Sequence, residues 1–269
     1  GTADVIVSTT EMLTKVFTAV VTGVVLATTS IVVAAAGCAR PSAPPDTVRV
    51  AVASPPESLD PRFATSAVAT RLAALVAAPL VAIGPDLRPH PLVAASFEHP
   101  DPLTFVVKLR QGLLFPDGNA VSARDVRFSL LSIKDPSIAS PHASKLAHVK
   151  DVVVVDDGTV RIELDAPSPA LPVDLNAYGV VEERACSSSP AACRDMPMGI
   201  GPYFVEHALD RNERLVLRRN ASFARAFALP TTNGIDRIDV RVVRDGTTRL
   251  FLLEDGRIDF VGGDLLPTD

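Results

Sequence analysis

Residues 104–133, TFVVKLRQGLLFPDGNAVSARDVRFSLLSI, switch hydrophobic period within one short stretch, and that switch restricts the folds open to the chain. From Thr104 to Leu109 apolar and polar residues alternate, as in a strand buried on one face. Phe115-Pro116-Asp117-Gly118 then supplies turn residues. Beyond them Ser122 is suited to cap a helix, and Asp125 stands three places on, where a carboxylate can answer exposed N–H groups. Val126, Leu130 and Ile133 fall on one helical face. Strand, turn and capped helix follow without a gap, so the fold must place a strand and a helix as neighbours along the chain.

Composition narrows the function classes. The 269 residues are 47% hydrophobic and 21% charged, enough for one large core or two modest ones. A formal charge of −5, with basic pairs such as Arg218-Arg219 broken up by apolar or acidic neighbours, argues against nucleic acid as a partner. Tryptophan is absent and aromatic residues make up 5%, which counts against a ligand site built on ring stacking. No nucleophile elbow, zinc-helix motif or cysteine with a placed histidine occurs, so no catalytic residue is expected and the chain does not read as an enzyme.

From Met12 the chain has the form of a secretory signal. One positive charge at Lys15 precedes an apolar run over 16–36, which ends in Ala34-Ala35-Ala36-Gly37-Cys38. These small residues resemble a lipoprotein cleavage box, with Ala35 where leucine is commoner, so Cys38 is expected to be lipidated and to become the new N-terminus. The competing reading is a permanent transmembrane helix, for which the run is long enough. Acyl chains would hold the protein at the membrane, since each buried CH₂ contributes roughly 0.8 kcal/mol. In this scheme 12–37 is the signal peptide, 1–11 has no role, and 38–46, rich in Pro, Ser and Ala, is the lipidated cysteine with a flexible tether.

Two cysteines remain, Cys186 and Cys193, separated by a short polar loop, Ser187-Ser188-Ser189-Pro190-Ala191-Ala192. An extracytoplasmic location favours their pairing as a disulfide, and so small a ring contributes roughly 2–3 kcal/mol in the loop-entropy model. The alternative is a metal site, but two thiols with no nearby histidine or second cysteine pair make a poor zinc cage. No metal or cofactor is expected.

Elsewhere the periodicity predicts a strand over 48–52, a helix over 64–78, and a hairpin of 152–155 and 160–164 around Asp156-Asp157-Gly158. Further on come a strand after a turn within 212–220, a strand over 235–243, a helix capped by Asp245 and ended by Gly256, and a short strand at 258–260.

The 104–133 stretch resembles the extracellular solute-binding proteins of family 5, the oligopeptide and dipeptide receptors of ABC importers. Phe105, Leu109-Arg110, Gly112, Phe115, Asp117-Gly118 and Ser122-Ala123-Arg124-Asp125-Val126 match its signature in order and spacing. Ser58-Leu59-Asp60-Pro61 is similar to the family's first loop, and Ser140-Pro141-His142-Ala143-Ser144 to a segment of the oligopeptide receptors. Gly199-Ile200-Gly201-Pro202-Tyr203 resembles a further family motif, with Ile200 in place of threonine, and the 212–220 run is again close to the oligopeptide branch.

The resemblance implies an α/β fold of the periplasmic-binding-protein type II kind. Residues 47–263 would form the first lobe, with an inserted α+β subdomain at about 63–180. Residues 264–269 would begin the crossover to a second lobe that the sequence lacks. It implies that Thr65, Ser66 and Ala67 offer main-chain groups to a bound peptide; the other reading is that Thr65 or Ser66 only caps the next helix. His142 stands where the family has a cleft tyrosine, and an imidazole can still stack or hydrogen-bond. A metal pair of His142 with His148 is the rival, though a metal needs more converging ligands. The implied function is the membrane-anchored substrate-binding component of an ABC transporter, capturing oligopeptides outside the cytoplasm. Its implied partners are the permease subunits, the membrane through the lipid anchor, and a separate chain supplying the second lobe. The alternative is a non-transporting surface lipoprotein that uses the lobe as an interaction module.

Overall fold

In the computed structural model residues 44, 46–229 and 234–262 are described, so the leader, Cys38 and 264–269 lie outside the described residues. The strands are β1 (Thr47–Val52), β2 (Val81–Ile83), β3 (Pro89–Pro91), β4 (Ala94–Asp101), β5 (Thr104–Leu109), β6 (Val149–Asp156), β7 (Thr159–Leu164), β8 (Tyr203–His207), β9 (Arg214–Arg219), β10 (Arg237–Val242) and β11 (Phe260–Gly262). The three longer helices are α1 (Ala67–Val76), α2 (Ala123–Lys134) and α3 (Gly246–Glu254). Among the described residues no helix is long and apolar enough to cross a membrane.

Strands from the two ends of the described chain meet in one five-stranded sheet, ordered β11-β1-β10-β9-β8. Its centre is parallel, with Val50 beside Val240 on one side and Phe260 on the other, while β9 and β8 add antiparallel strands. Val68, Leu72 and Val76 recur every four residues on α1 and pack with Val205, Leu215, Leu217 and Val240 of this sheet. Each such side chain removed from water contributes roughly 1.5–3 kcal/mol. This packing sets α1 against the five-stranded sheet. The helix is also shorter than the expected 64–78. It starts after Ser66, whose hydroxyl accepts from the Ala69 N–H, and it stops at Val76 because Ala77 is extended.

The chain between α1 and β8 builds a second, antiparallel sheet, β4-β5-β7-β6, and the small β2-β3 pair. The alternation read over 104–109 is realised: Phe105, Val107 and Leu109 are buried and Lys108 is exposed. Val126, Leu130 and Ile133 of α2 join those residues, Phe115 and Ile162 in one core. β4 runs through Pro100, which an edge strand tolerates because no ladder bond is asked of its nitrogen.

Three segments stitch the two sheets together. Ala78 N–H donates to Ile200 O at 2.8 Å, Val180 N–H to Ala78 O at 3.1 Å, and Ile200 N–H to Val180 O at 3.1 Å. The backbones approach so closely that a Cβ at Gly179 would lie 2.0 Å from the Ala77 carbonyl oxygen, and one at Gly201 2.3 Å from that of Leu75. Glycine is required at both places by space.

The cysteine segment, expected as a short polar loop, instead forms two short helices, Glu183–Ser188 and Pro190–Asp195. Pro190 occupies a first-turn position, where its missing N–H costs nothing.

Asp125 does more than open α2. One carboxylate oxygen accepts from the Ser122 N–H at 2.9 Å and the Ser122 hydroxyl at 2.8 Å, and the other from the Glu183 N–H at 3.0 Å. Asp125→Ala would leave these donors without their acceptor, and we expect unfolding free energy to fall by about 2 kcal/mol in urea titrations.

Candidate functional site

The loop from β1 to α1 is held by a buried ion pair. The Asp60 side chain is 0% exposed and that of Arg62 3%, and the guanidinium grips the carboxylate through Nε at 2.9 Å and Nη2 at 2.6 Å. Arg62 Nη1 also donates to Ser132 of α2 at 3.1 Å, and its guanidinium carbon lies 5.0 Å from the centre of the Phe128 ring. Two buried charges are tolerated when each satisfies the other, and here both do.

The same loop is tied to the cysteine segment. Ser58 Oγ and the Leu59 N–H both donate to the Arg194 carbonyl at 2.9 Å, and the Arg194 guanidinium lies 3.8 Å from the centre of the Phe63 ring. Cys186 and Cys193 are joined in a disulfide with Cα atoms 5.1 Å apart, and Cys193 Sγ touches Arg62 Nη2 at 3.3 Å. Asp60, Cys186 and Cys193 are the one cluster of metal-ligating atoms among the described residues, but the two sulfurs bind each other and Asp60 is engaged by Arg62.

A second set of bonds fixes the residues after Pro61. Ser140 Oγ donates to the Arg62 carbonyl at 2.6 Å, and His142 Nε2 lies 2.9 Å from the Ala64 carbonyl. A carbonyl only accepts, so this ring nitrogen carries a proton. His148 bonds instead to Asp165, so the two histidines serve separate partners.

Glu57 holds the next two residues. Its Oε1 accepts from the Thr65 N–H at 2.5 Å, the Thr65 hydroxyl at 2.8 Å and the Ser66 N–H at 2.7 Å, and its Oε2 from the Ser66 hydroxyl at 2.6 Å. Burial pushes this carboxyl up, but the bonds from Ser66 and Thr65 outweigh it and bring its pKa from 4.5 down to about 2.

These anchors frame a groove of about 540 Å³ between α1 and the chain around His142 and Asn176. Its floor is mostly methyl groups, from Ala64, Ala73, Ala74, Ala77 and Ala82. Thr65, Thr70, His142, Lys145 and Asn176 supply the polar lining. Of the four residues read from sequence, Thr65 and His142 are brought together on this groove. Ser66 is occupied in capping α1 and bonding Glu57, and exposed Ala67 is not part of the lining. Glu57, Arg62, Lys145 and Asn176 carry no motif of their own; only the fold reveals them.

A family model described as bacterial extracellular solute-binding proteins, family 5 Middle, matches residues 88–268. The glutathione-binding protein GsiB of Pectobacterium atrosepticum is 30% identical over 220 residues, 78% of this chain and 41% of that protein. A probable peptide ABC transporter periplasmic-binding protein, y4tO of Sinorhizobium fredii, is 28% identical over 77% of this chain and 42% of its own length. Among solved structures, the binding protein MoaA of A. tumefaciens R10, in complex with mannopinic acid, superposes with a TM-score of 0.72 at 26% identity. That match covers 81% of this chain and 45% of MoaA. The chain thus spans less than half the length of the relatives it matches.

The Glu57 clamp has a pH signature. Its folded pKa lies below the ordinary value, so its stabilisation is complete above about pH 4.5 and is lost as pH falls from there toward about 2. Glu57→Gln cannot titrate. The stability difference between wild type and this variant should be constant above pH 5 and shrink below it, as read by urea melts at stepped pH.

Proposed function

Because the chain belongs to the bacterial extracellular solute-binding proteins of family 5, we propose that it captures short peptides outside the cytoplasm for an ABC importer. Its fold is α/β, of the periplasmic-binding-protein type II kind, and the described residues form the first lobe with an inserted antiparallel unit. Membership in a family of solute-binding proteins calls for recognition rather than catalysis. The observation that carries the peptide reading is the meeting of Thr65 and His142 on one groove whose backbone is pinned on both sides. Relatives named for glutathione and for peptides support the same ligand class.

In this reading Cys38 carries the lipid anchor, supported by the small residues before it and the apolar run upstream. The permease subunits are the partners downstream. A second lobe supplies the opposing wall, and the greater length of the relatives supports that requirement. A groove with one wall leaves the ligand partly in water, so affinity for this chain alone is expected to be weak.

Calorimetric titration of the purified chain with a mixed pool of short peptides tests the reading, and saturable heat is the expected result. Ala74 is exposed and lines the groove, so Ala74→Trp should fill the groove and abolish the heat without lowering the thermal midpoint. A folded, monomeric wild-type sample that gives no heat would turn the assignment from capture to an interaction module.

A further inference from the structure

We propose that the Cys186–Cys193 disulfide is a redox latch on the groove: its reduction gives Cys193 a proton that competes with Arg62 for Asp60, and so releases the loop that carries Ala64 and Thr65. The inference concerns the state of the groove wall and does not depend on which ligand the groove receives.

Both cysteines are buried, and they pack with Ala77, Val181 and Phe128. Cys193 Sγ lies 3.4 Å from Asp60 Oδ2 and 3.3 Å from Arg62 Nη2. A disulfide sulfur carries no proton, so it has nothing to donate to the carboxylate. Oδ2 therefore belongs to Arg62, which reaches it with Nη2 at 2.6 Å and Nε at 3.1 Å. Reduction changes this chemistry. A thiolate of a dithiol attacks one sulfur, the S–S bond breaks, and a second attack closes the reductant's own disulfide. Two electrons and two protons pass to the cysteines, which end as thiols. Their sulfurs cannot remain at bonding distance, and a close-packed interior gives them little room to part. Cys193 is held from behind, because the carbonyl of Arg194, next in the chain, accepts from Ser58 Oγ and the Leu59 N–H. The parting is therefore felt at the ion pair that Cys193 touches, and its new S–H stands within reach of the oxygen that Arg62 uses. That carboxylate does more than balance a charge. Its Oδ1 accepts from the Arg62 N–H at 3.0 Å, and the Asp60 carbonyl accepts from the N–H groups of Phe63 and Ala64. The carbonyls of Arg62 and Ala64 in turn hold Ser140 and His142. A shift at Asp60 thus reaches Ala64, Thr65 and His142, three residues of the groove lining.

The test is amide hydrogen exchange of the full chain, read by mass spectrometry on the oxidised protein and on protein reduced with dithiothreitol under native conditions, with complete reduction verified by thiol titration. Exchange over 60–66 should quicken about tenfold on reduction, while Thr104–Leu109 in the antiparallel sheet keeps its rate. Two variants separate a latch from a plain cross-link, since each lacks the disulfide. Cys186→Ala keeps the Cys193 thiol beside Asp60 and should exchange as the reduced protein does, whereas Cys193→Ala removes that thiol and should stay close to the oxidised rate. Unchanged exchange over 60–66 in the reduced protein overturns the inference. Equal quickening in the two variants overturns it too, as does a uniform rise that includes Thr104–Leu109. Where a variant fails to fold, reduced against oxidised wild type decides by the same criteria.

Discussion

A carboxylate and a guanidinium buried within two residues of each other dictate where much of this chain must be. Each ion alone would lose several kcal/mol on leaving water, so Asp60 and Arg62 can be buried only as a pair with every remaining donor placed. The placing is done by distant parts of the sequence. Ser132 comes from α2, Cys193 from the disulfide segment, and the Phe128 ring covers the guanidinium face. The loop between β1 and α1 therefore cannot take its shape until the inserted sheet, its helix and the cysteine segment are in position. Its next residues, Ala64 and Thr65, line the groove, so the groove inherits that fixed geometry.

The helix α2 transmits this constraint because it buries two faces. Val126, Leu130 and Ile133 enter the core of the antiparallel sheet, which explains the periodicity visible in the sequence. The other face is polar yet covered: Asp125 receives the Glu183 N–H, and Ser129 Oγ accepts from the Val181 N–H at 3.0 Å. Those two bonds hold the strand-like segment that returns from the inserted unit. The same segment runs against Ala77 so closely that only glycine fits at 179. Polar side chains on α2 thus fix how the chain leaves one sheet and re-enters the other.

What could be read in the sequence was what local rules control. The strand Thr104–Leu109, the cap at Ser122 and the hairpin around Gly158 depend on neighbours a few residues away, and the structure has them where the pattern indicated. The groove was half legible. Thr65 and His142 came from resemblance to known receptors, whereas nothing in the spacing from Glu57 to Thr65 marks a carboxylate that takes four donors. The cysteine segment misled because its serines suit loops as well as helix ends, and the choice fell to packing: Cys186 and Cys193 are buried with Ala77, Val181 and Phe128. The extent of α1 was overestimated for a related reason. Ala77 and Ala78 are good helix formers, but Ala78 exchanges bonds with Val180 and Ile200 that a helix would forbid.

The shortage of aromatic rings gives the groove its particular character. An alanine floor offers a ligand shallow, featureless contact, and each methyl group contributes little compared with a ring face. Discrimination must then come from polar groups held at fixed positions, and the structure devotes unusual effort to holding them. Glu57 immobilises Thr65, the Ala64 carbonyl orients the His142 ring, and the Asp60–Arg62 pair anchors the backbone that links them. Such preorganisation lowers the entropic cost of binding without adding contact area. In any groove open on one side, such preorganisation bears on orientation more than on affinity, because water still reaches the open side.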